Sequence, residues 1–145
     1  MSIPKTYIPE SLTEEDKKKA KEDIKDTRKA YKKGQFKKRR ILKSFVSKNS
    51  SHIERAKKFY NVDAVKASQE LASASGCSQN TLKKIVRKGK GAFFSSGSRP
   101  NQTPQSWGRA RLASALTGGK SSKVDKKELE EGCKPGSKAL KLMKK

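Results

Sequence analysis

The sequence predicts a mainly α protein with a small helical core of short helices, a Gly/Ser-rich loop, and extended basic N- and C-terminal arms. Short segments carry apolar residues at helical spacing, and several of them follow a Ser, Thr or Asp that can act as an N-cap. Only 31% of the 145 residues are hydrophobic, so any core must be small. The 37 Lys and Arg against 14 Asp and Glu give a net charge of +23, which favours a negatively charged partner.

We expect three segments along the chain. Residues 1–49 are predicted to form an extended lead-in, a charged helix and a basic linker. Residues 50–131 are predicted to form the helical core, which includes a loop at 89–104. Residues 132–145, rich in lysine, are predicted to form a basic C-terminal tail.

The first predicted helix begins after Thr13, a favourable N-cap followed by three acidic residues that suit the positive end of the helix dipole. Gly34 is expected to end this helix. The linker KKGQFKKRRILK at 32–43 is the densest positive stretch, and we expect nothing acidic nearby to neutralise it. We therefore predict that the linker binds a polyanion, with a solvated basic linker as the alternative.

The core is predicted to begin with three short helices. An S-x-x-E capping box at 51–54 opens the first helix. Asp63 is expected to cap the second, which runs through Ala74, and Ser78 to cap the third, which ends before Gly89. No regular element fits the Gly-, Ser- and Pro-rich stretch that follows.

Two further helices are expected after this stretch. Thr103 followed by Pro104 is typical of a cap and first helical turn, and this helix is predicted to reach Gly118. Another short helix is predicted after Asp125 and is expected to stop at Gly132.

The segment QELASASGCSQNTLKKIVRK at 69–88 resembles a helix-turn-helix. Gly76 permits a left-handed turn, and Leu82 and Ile85 would face the first helix. An ordinary helical hairpin is the alternative interpretation. The side chains that would read DNA in the first case are Asn80, Thr81, Lys83, Lys84 and Arg87.

The loop FFSSGSRPNQT at 93–103 combines glycine, hydroxyl groups, Arg99 and Asn101, a set that can cradle a phosphate. A structural loop pinned by aromatic side chains is an equally good interpretation. The GxxxxGK[ST] pattern of nucleotide-hydrolysing proteins is absent from the sequence.

Two groups of candidate binding residues follow from these patterns. The predicted polyanion-binding group consists of Lys32, Lys33, Lys37, Lys38, Arg39, Arg40, Lys43, Lys83, Lys84, Arg87, Lys88 and Lys90. The predicted loop site consists of Ser95, Ser96, Ser98, Arg99, Asn101, Trp107 and Arg111.

Catalysis has little support in the sequence. His52 is the single histidine, and no nucleophile or carboxylate pattern surrounds it. Without a C-x-x-C motif we expect no metal site, and we expect no cofactor and no small-molecule substrate. Cys77 and Cys133 can pair in principle, but free thiols are the simpler expectation for a chain of intracellular character.

The segment GAFFSSGSRPNQTPQSWGRARLASALTGGKSSKVD at 91–125, with SKNSSHIERAKKFY and YIPESLTEEDKKKA earlier, resembles an uncharacterised basic domain. That domain occurs in large DNA viruses of algae and amoebae and in some marine phages. The resemblance runs from about Tyr7 to Leu142. It implies a virus-encoded protein with a structural or binding role, and it points to the loop at 95–103 and the helix after it as the specific site.

These observations predict a non-enzymatic structural component of a large DNA virus particle, either a minor capsid protein or an internal virion protein. Its expected partners are major capsid or other virion proteins and either nucleic acid or an anionic membrane surface. We expect it in the virion and inside the infected cell, because the sequence shows no signal peptide and no transmembrane segment. A helix-turn-helix DNA-binding protein is the alternative, and an RNA-binding component of a ribonucleoprotein is a weaker one.

Overall fold

The computed structural model describes residues 3–45 and 51–143. Over these ranges the chain is mainly α, as the sequence predicts, and a single β-bridge joins Cys77 and Cys133. A 3-10 turn at Lys5–Tyr7 precedes the helices. The helices are α1 (Glu14–Lys32), α2 (Ser51–Tyr60), α3 (Gln69–Ser75), α4 (Gln79–Ser95), α5 (Pro104–Leu116), α6 (Lys120–Val124), α7 (Lys126–Gly132) and α8 (Lys138–Met143). No helix in the described ranges has the length and apolar character needed to cross a bilayer.

The chain divides into two compact units. Unit 1 consists of Met1–Lys48 with Lys90–Trp107, and unit 2 consists of Asn49–Gly89 with Gly108–Lys145. These units differ from the three segments expected from the sequence. The loop region groups with the N-terminal segment and the C-terminal tail groups with the core, because contacts between distant parts of the chain define the units.

Helix α1 begins where the sequence predicts. The Thr13 hydroxyl accepts a hydrogen bond from the Asp16 amide at 3.2 Å, and Gly34 adopts a φ of +79° just beyond the helix end. The apolar side of α1 is narrow, since Ala20 and Ile24 are its buried apolar residues. Helix α1 therefore offers little apolar surface for packing within unit 1.

Unit 2 contains the larger apolar core. The fully buried side chains of this core come from helices α2, α3, α4, α5, α7 and α8: Ala56, Leu71, Leu82, Ile85, Leu112, Ala113, Ala115, Leu116, Leu129 and Ala139. Tyr60 adds a polar link, because its hydroxyl donates a hydrogen bond to the Leu116 carbonyl oxygen. Burial of these side chains is the main stabilising contribution in unit 2.

Helix α3 begins later than the sequence predicts. Asp63 does not cap it; the Ser68 hydroxyl does, by accepting a hydrogen bond from the Leu71 amide at 3.2 Å. Gly76 ends α3 in the left-handed conformation with a φ of +81°, as expected. Ser78 then caps α4, again as expected, because its hydroxyl accepts from the Thr81 amide at 3.2 Å.

Helix α4 continues past Gly89 to Ser95, so the expectation that it ends before this glycine is wrong. In unit 2, a Cβ at Gly89 would lie 2.6 Å from the Gly108 Cα, and a Cβ at Gly108 would lie 2.7 Å from the Val86 carbonyl oxygen. The two glycines thus let α4 and α5 pass in direct backbone contact. The sequence alone does not distinguish a glycine that allows two helices to pack closely from a glycine that ends a helix.

Cys77 and Cys133 form a disulfide bond, so the expectation of free thiols is wrong. Two backbone hydrogen bonds of 2.8 Å flank the bond, from the Ser78 amide to the Gly132 carbonyl oxygen and from the Lys134 amide to the Gly76 carbonyl oxygen. The two cysteines are 56 residues apart in sequence, so no local sequence pattern indicates that they pair.

The C-terminal tail is part of unit 2 and not an arm. Helix α8 buries Ala139, Leu140 and Met143 and packs against α3 and α7. The helix spans six residues, which is too short for a helical period to stand out in the sequence. Helix α6 was missed for the same reason.

Candidate polyanion-binding surface

The basic linker is only partly available to an outside partner. Lys37 pairs with Asp26 at 3.7 Å, and Arg40 pairs with Asp23 at 2.8 Å and with Glu22 at 3.6 Å. The expectation that nothing acidic nearby neutralises the linker is therefore wrong, because the linker folds back along α1 and meets its carboxylates. The other lysines of the linker are exposed and form no ion pair within the described ranges: Lys32, Lys33, Lys38 and Lys43.

Arg39 is a packing residue of unit 1. Its guanidinium carbon lies 3.6 Å from the centre of the Phe93 ring, and the group donates hydrogen bonds to the Phe93 carbonyl oxygen at 2.8 Å and to the Ser98 hydroxyl. Burial lowers the pKa of Arg39 to about 10, because the charged form loses hydration. At neutral pH Arg39 is still charged, but its charge is held inside the unit.

The first half of α4 presents a basic face to solvent. Its exposed side chains are Asn80, Lys83, Lys84 and Arg87, and their spacing of three and four residues places them on one side of the helix. No acidic residue occurs in α4. We call this set the α4 face.

Thr81 does not belong to the α4 face, although the sequence places it among the DNA-reading candidates. It is 7% exposed, and its hydroxyl lies 2.7 Å from the Ser78 hydroxyl. Gly132 packs directly against it, since a Cβ at Gly132 would overlap the Thr81 side chain. Thr81 is thus a contact between α4 and the end of α7.

Lys88 and Arg111 lie in an internal ion network of unit 2. Asp125 is fully buried and accepts hydrogen bonds from Arg111 Nε at 2.9 Å and Nη2 at 2.8 Å. Lys88 Nζ lies 3.5 Å from the Asp125 carboxylate and also pairs with Glu128. The hydrogen bond between Lys88 and Glu128 raises the pKa of Lys88 and lowers the pKa of Glu128. The hydrogen bond that Arg111 donates to Asp125 raises the pKa of Arg111. Much of the charge of these two cations is therefore offset within the unit.

The loop at 95–103 satisfies most of its own polar groups. Ser98 is 2% exposed and donates a hydrogen bond to the Arg99 carbonyl oxygen at 2.9 Å. The Asn101 side chain accepts from the Leu42 amide at 2.7 Å and donates to the Leu42 and Phe45 carbonyl oxygens at 3.1 and 3.4 Å. These contacts favour the structural interpretation of the loop.

The residues of the predicted loop site are divided between the two units. Trp107 packs edge-on against Tyr7 with ring centres 5.8 Å apart, and Arg111 belongs to unit 2. Ser95 is the last residue of α4 and is half-buried. Ser96 and Arg99 are exposed, and anion binding by this loop stays a prediction that depends on them.

Aromatic side chains near the basic linker were missed as a functional feature. Unit 1 contains a cavity of about 600 Å³ whose lining includes Phe36, Phe94, Lys38, Lys90 and Arg99. The available signal was Phe36 within KKGQFKKRR, an aromatic residue placed among basic residues. Within residues 3–45 and 51–143, no three His, Cys, Asp or Glu side chains are grouped as metal ligands.

Comparison with protein families gives a match over most of the chain. The model of a family of unknown function, DUF5824, matches residues 4–131. Neither the curated proteins nor the solved structures contain a significant match to the chain.

Proposed function

The chain belongs to this family of unknown function, and we propose that it is a non-enzymatic structural component of a large DNA virus particle whose basic surface binds polyanions. The net charge of +23 alone makes a polyanion the natural partner. The proposal rests on the location of the positive side chains that are not paired with a carboxylate of the same protein.

Most acidic side chains of the chain are already engaged. In α1, Glu14 and Glu15 pair with lysines of the same helix, and Glu22, Asp23 and Asp26 pair with the linker. Asp16 is hydrogen-bonded to Ser44. In unit 2, Asp125 pairs with Lys88 and Arg111, and Glu128 pairs with Lys88. The α4 face has no acidic neighbour on its own helix, and its cations are exposed. The excess charge thus remains at the surface, where phosphate groups can replace the missing counter-charges.

The composition of the α4 face favours binding that does not depend on base sequence. Lys83, Lys84 and Arg87 carry the charge, and such long cationic side chains mainly contact phosphates, which fix position without carrying sequence information. Asn80 is the one uncharged polar side chain of the set, and Thr81 is buried. A structural, genome-contacting or shell-contacting role follows more naturally than gene regulation.

The viral part of the proposal comes from the sequence resemblance described above, and the disulfide bond is consistent with it. Disulfides persist at virion surfaces and in other oxidising environments and are rare in a reducing cytosol. In the particle, acidic faces of major capsid or other virion proteins, the genome, or an anionic inner membrane would each offer the required negative surface.

A helix-turn-helix DNA-binding function is the second candidate. The observation that favours it is the left-handed turn at Gly76 followed by a capped helix whose exposed side carries Asn80 beside three cations. An Asn80→Ala variant should lose base-sequence preference if this candidate is correct. Equal affinity of the wild-type chain for duplexes of different sequence would count against it.

The binding test uses the full chain, a duplex of arbitrary sequence, and affinities measured over a range of KCl concentrations. The variant Lys83→Gln, Lys84→Gln, Arg87→Gln should bind more weakly, and the slope of log affinity against log salt should become shallower by up to about 2.7 if each side chain contacts one phosphate. The matched control Lys123→Gln, Lys126→Gln, Lys127→Gln removes the same charge beside the acidic residues of α7.

The outcomes separate the possibilities. A larger loss in the α4 variant than in the control supports the proposed surface. Equal losses would mean that net charge alone determines affinity, and no binding by the wild-type chain to duplex, single strand or anionic vesicles would overturn polyanion binding altogether. Mass-spectrometric abundance of the protein in purified particles tests the structural role, and its absence from particles would overturn that role.

A further inference from the structure

Three aromatic side chains of unit 1 meet at its surface. The rings of Tyr31 and Phe94 are stacked with centres 6.0 Å apart and planes 9° from parallel, and the ring of Phe36 stands 5.1 Å from that of Phe94. Phe36 is 69% exposed and Tyr31 is 36% exposed. We call this group the aromatic platform. A cluster of exposed rings costs free energy in water, so it is typical of a binding surface.

The neighbouring ring of Phe93 is not part of the platform. It is 1% exposed, and the Arg39 guanidinium covers one of its faces. The ring surface left for a ligand is therefore mainly that of Phe36, with edges of Tyr31 and Phe94.

Cations and a cavity adjoin the aromatic platform. The cavity of about 600 Å³ is lined by Phe36 and Phe94 together with Lys38, Lys90 and Arg99, and it falls within the size range of small-ligand sites. The carboxylate in its lining, Asp23, is already engaged by Arg40. Lys32 and Lys33 are close to the platform in sequence and exposed. A ligand here would meet flat apolar rings and positive charge together.

We propose that the aromatic platform binds single-stranded nucleic acid, with unpaired bases stacked on Phe36 and phosphates held by the surrounding lysines and Arg99. This inference rests on the polyanion binding proposed above and specifies its chemistry for unit 1. Stacking on aromatic side chains in a cationic groove is how proteins bind single strands without sequence preference. A duplex keeps its base faces covered, so it can use the cations but not the rings.

The test measures affinity of the full chain for three nucleic-acid probes, which are an oligothymidylate, an abasic oligonucleotide with the same number of phosphates, and a duplex. Anionic vesicles serve as a fourth probe. The wild-type chain should bind oligothymidylate at least about fivefold more tightly than the abasic strand, which corresponds to stacking of one base. Phe36→Ala should remove most of this difference while the salt dependence stays unchanged, because no charge is altered.

Two further variants serve as controls. Phe59→Ala removes another exposed ring, 44% exposed and located in unit 2, and should leave the preference for oligothymidylate intact. Phe36→Trp should retain the preference, since a larger aromatic ring still stacks. Retention by Trp and loss by Ala would separate stacking from a change in folding.

Each outcome has a distinct meaning. If oligothymidylate and the abasic strand bind equally well to the wild-type chain, base stacking is overturned while polyanion binding stands. If Phe36→Ala weakens both strands equally, the residue acts through structure and the inference is also overturned. If Phe36→Ala reduces only binding to anionic vesicles, the platform is a membrane-contacting surface. If none of the nucleic-acid probes and no anionic vesicle binds, the proposed function fails together with the inference.

Discussion

The two units of this protein are held together by different interactions. Unit 2 has a continuous apolar core, a disulfide bond and a buried carboxylate that pairs with two cations. Unit 1 has a small cluster of Leu12, Ala20 and Leu42, and hydrogen bonds from side chains to the backbone hold its irregular segments. Asn101 bonds the backbone at 42 and 45, and Asp16 bonds that of Ser44.

The difference shows how a chain with few apolar residues can hold an irregular segment in one conformation. Apolar burial stabilises without direction, and it needs enough surface to remove from water. Side chains that bond the backbone contribute less each, but they fix the position of the segment that they bind. Unit 1 can therefore hold Phe36 and the lysines beside it at the surface with little apolar burial, whereas unit 2 buries most of its large apolar residues in one core.

The largest expected effect is loss of the disulfide bond in unit 2. A Cys77→Ser, Cys133→Ser variant should lose about 4 kcal/mol of unfolding free energy, because the bond closes a loop across 56 residues of sequence separation and restricts the unfolded chain. Urea unfolding measures this loss. In hydrogen exchange, protection should fall in α3 and α8 and much less in α1. An equal loss in α1 would contradict the view that the two units are stabilised separately.

An intermediate effect is expected from Asn101→Ala in unit 1. The change removes three hydrogen bonds to the backbone of 42–45 and places alanine at a φ of +60°, so we expect a loss of about 2 kcal/mol in unfolding free energy. Asn80→Ala is the matched control, because that side chain is exposed on α4. Similar thermal unfolding of wild type and Asn101→Ala would show that these bonds do not hold unit 1.

The smallest effect is expected from acid. Hydrogen bonds from the Ser44 hydroxyl and amide lower the pKa of Asp16 below its usual 3.8, so the folded state favours the charged carboxylate. The resulting stabilisation is present above the unfolded pKa and is lost as pH falls through the folded pKa. Urea midpoints measured between about pH 6 and pH 2 should fall less steeply for Asp16→Asn than for wild type. Parallel curves would refute this role of Asp16.

Local signals in the sequence were sufficient wherever an element depends on its own residues. Thr13, Ser78 and the Thr103–Pro104 pair mark the starts of α1, α4 and α5, because capping involves groups within one helical turn. Gly34 and Gly76 mark helix ends because their left-handed conformation suits glycine. The mainly α fold and the exposed α4 face followed from helical spacing.

The candidate site was predictable only in part, because its electrostatics depend on distant residues. Lys37 and Arg40 looked free in the sequence, yet α1 carboxylates pair with them. Lys88 and Arg111 looked available, yet Asp125 and Glu128 engage them. The sequence of a basic segment gives its net charge. Whether each basic side chain is available to a partner depends on which carboxylates the fold places next to it.

The sequence by itself determined the helical class of this protein, most helix starts, and its large excess of positive charge, since these depend on composition and on residues a few positions apart. The tertiary structure alone decided that Gly89 packs against Gly108, that Cys77 bonds Cys133, that the tail forms α8, and that Phe36 stands exposed beside Phe94. The physical reason is the same in each case. Close packing, disulfide formation and ring contacts join residues far apart in the chain, and no local pattern records which distant residue will be the neighbour.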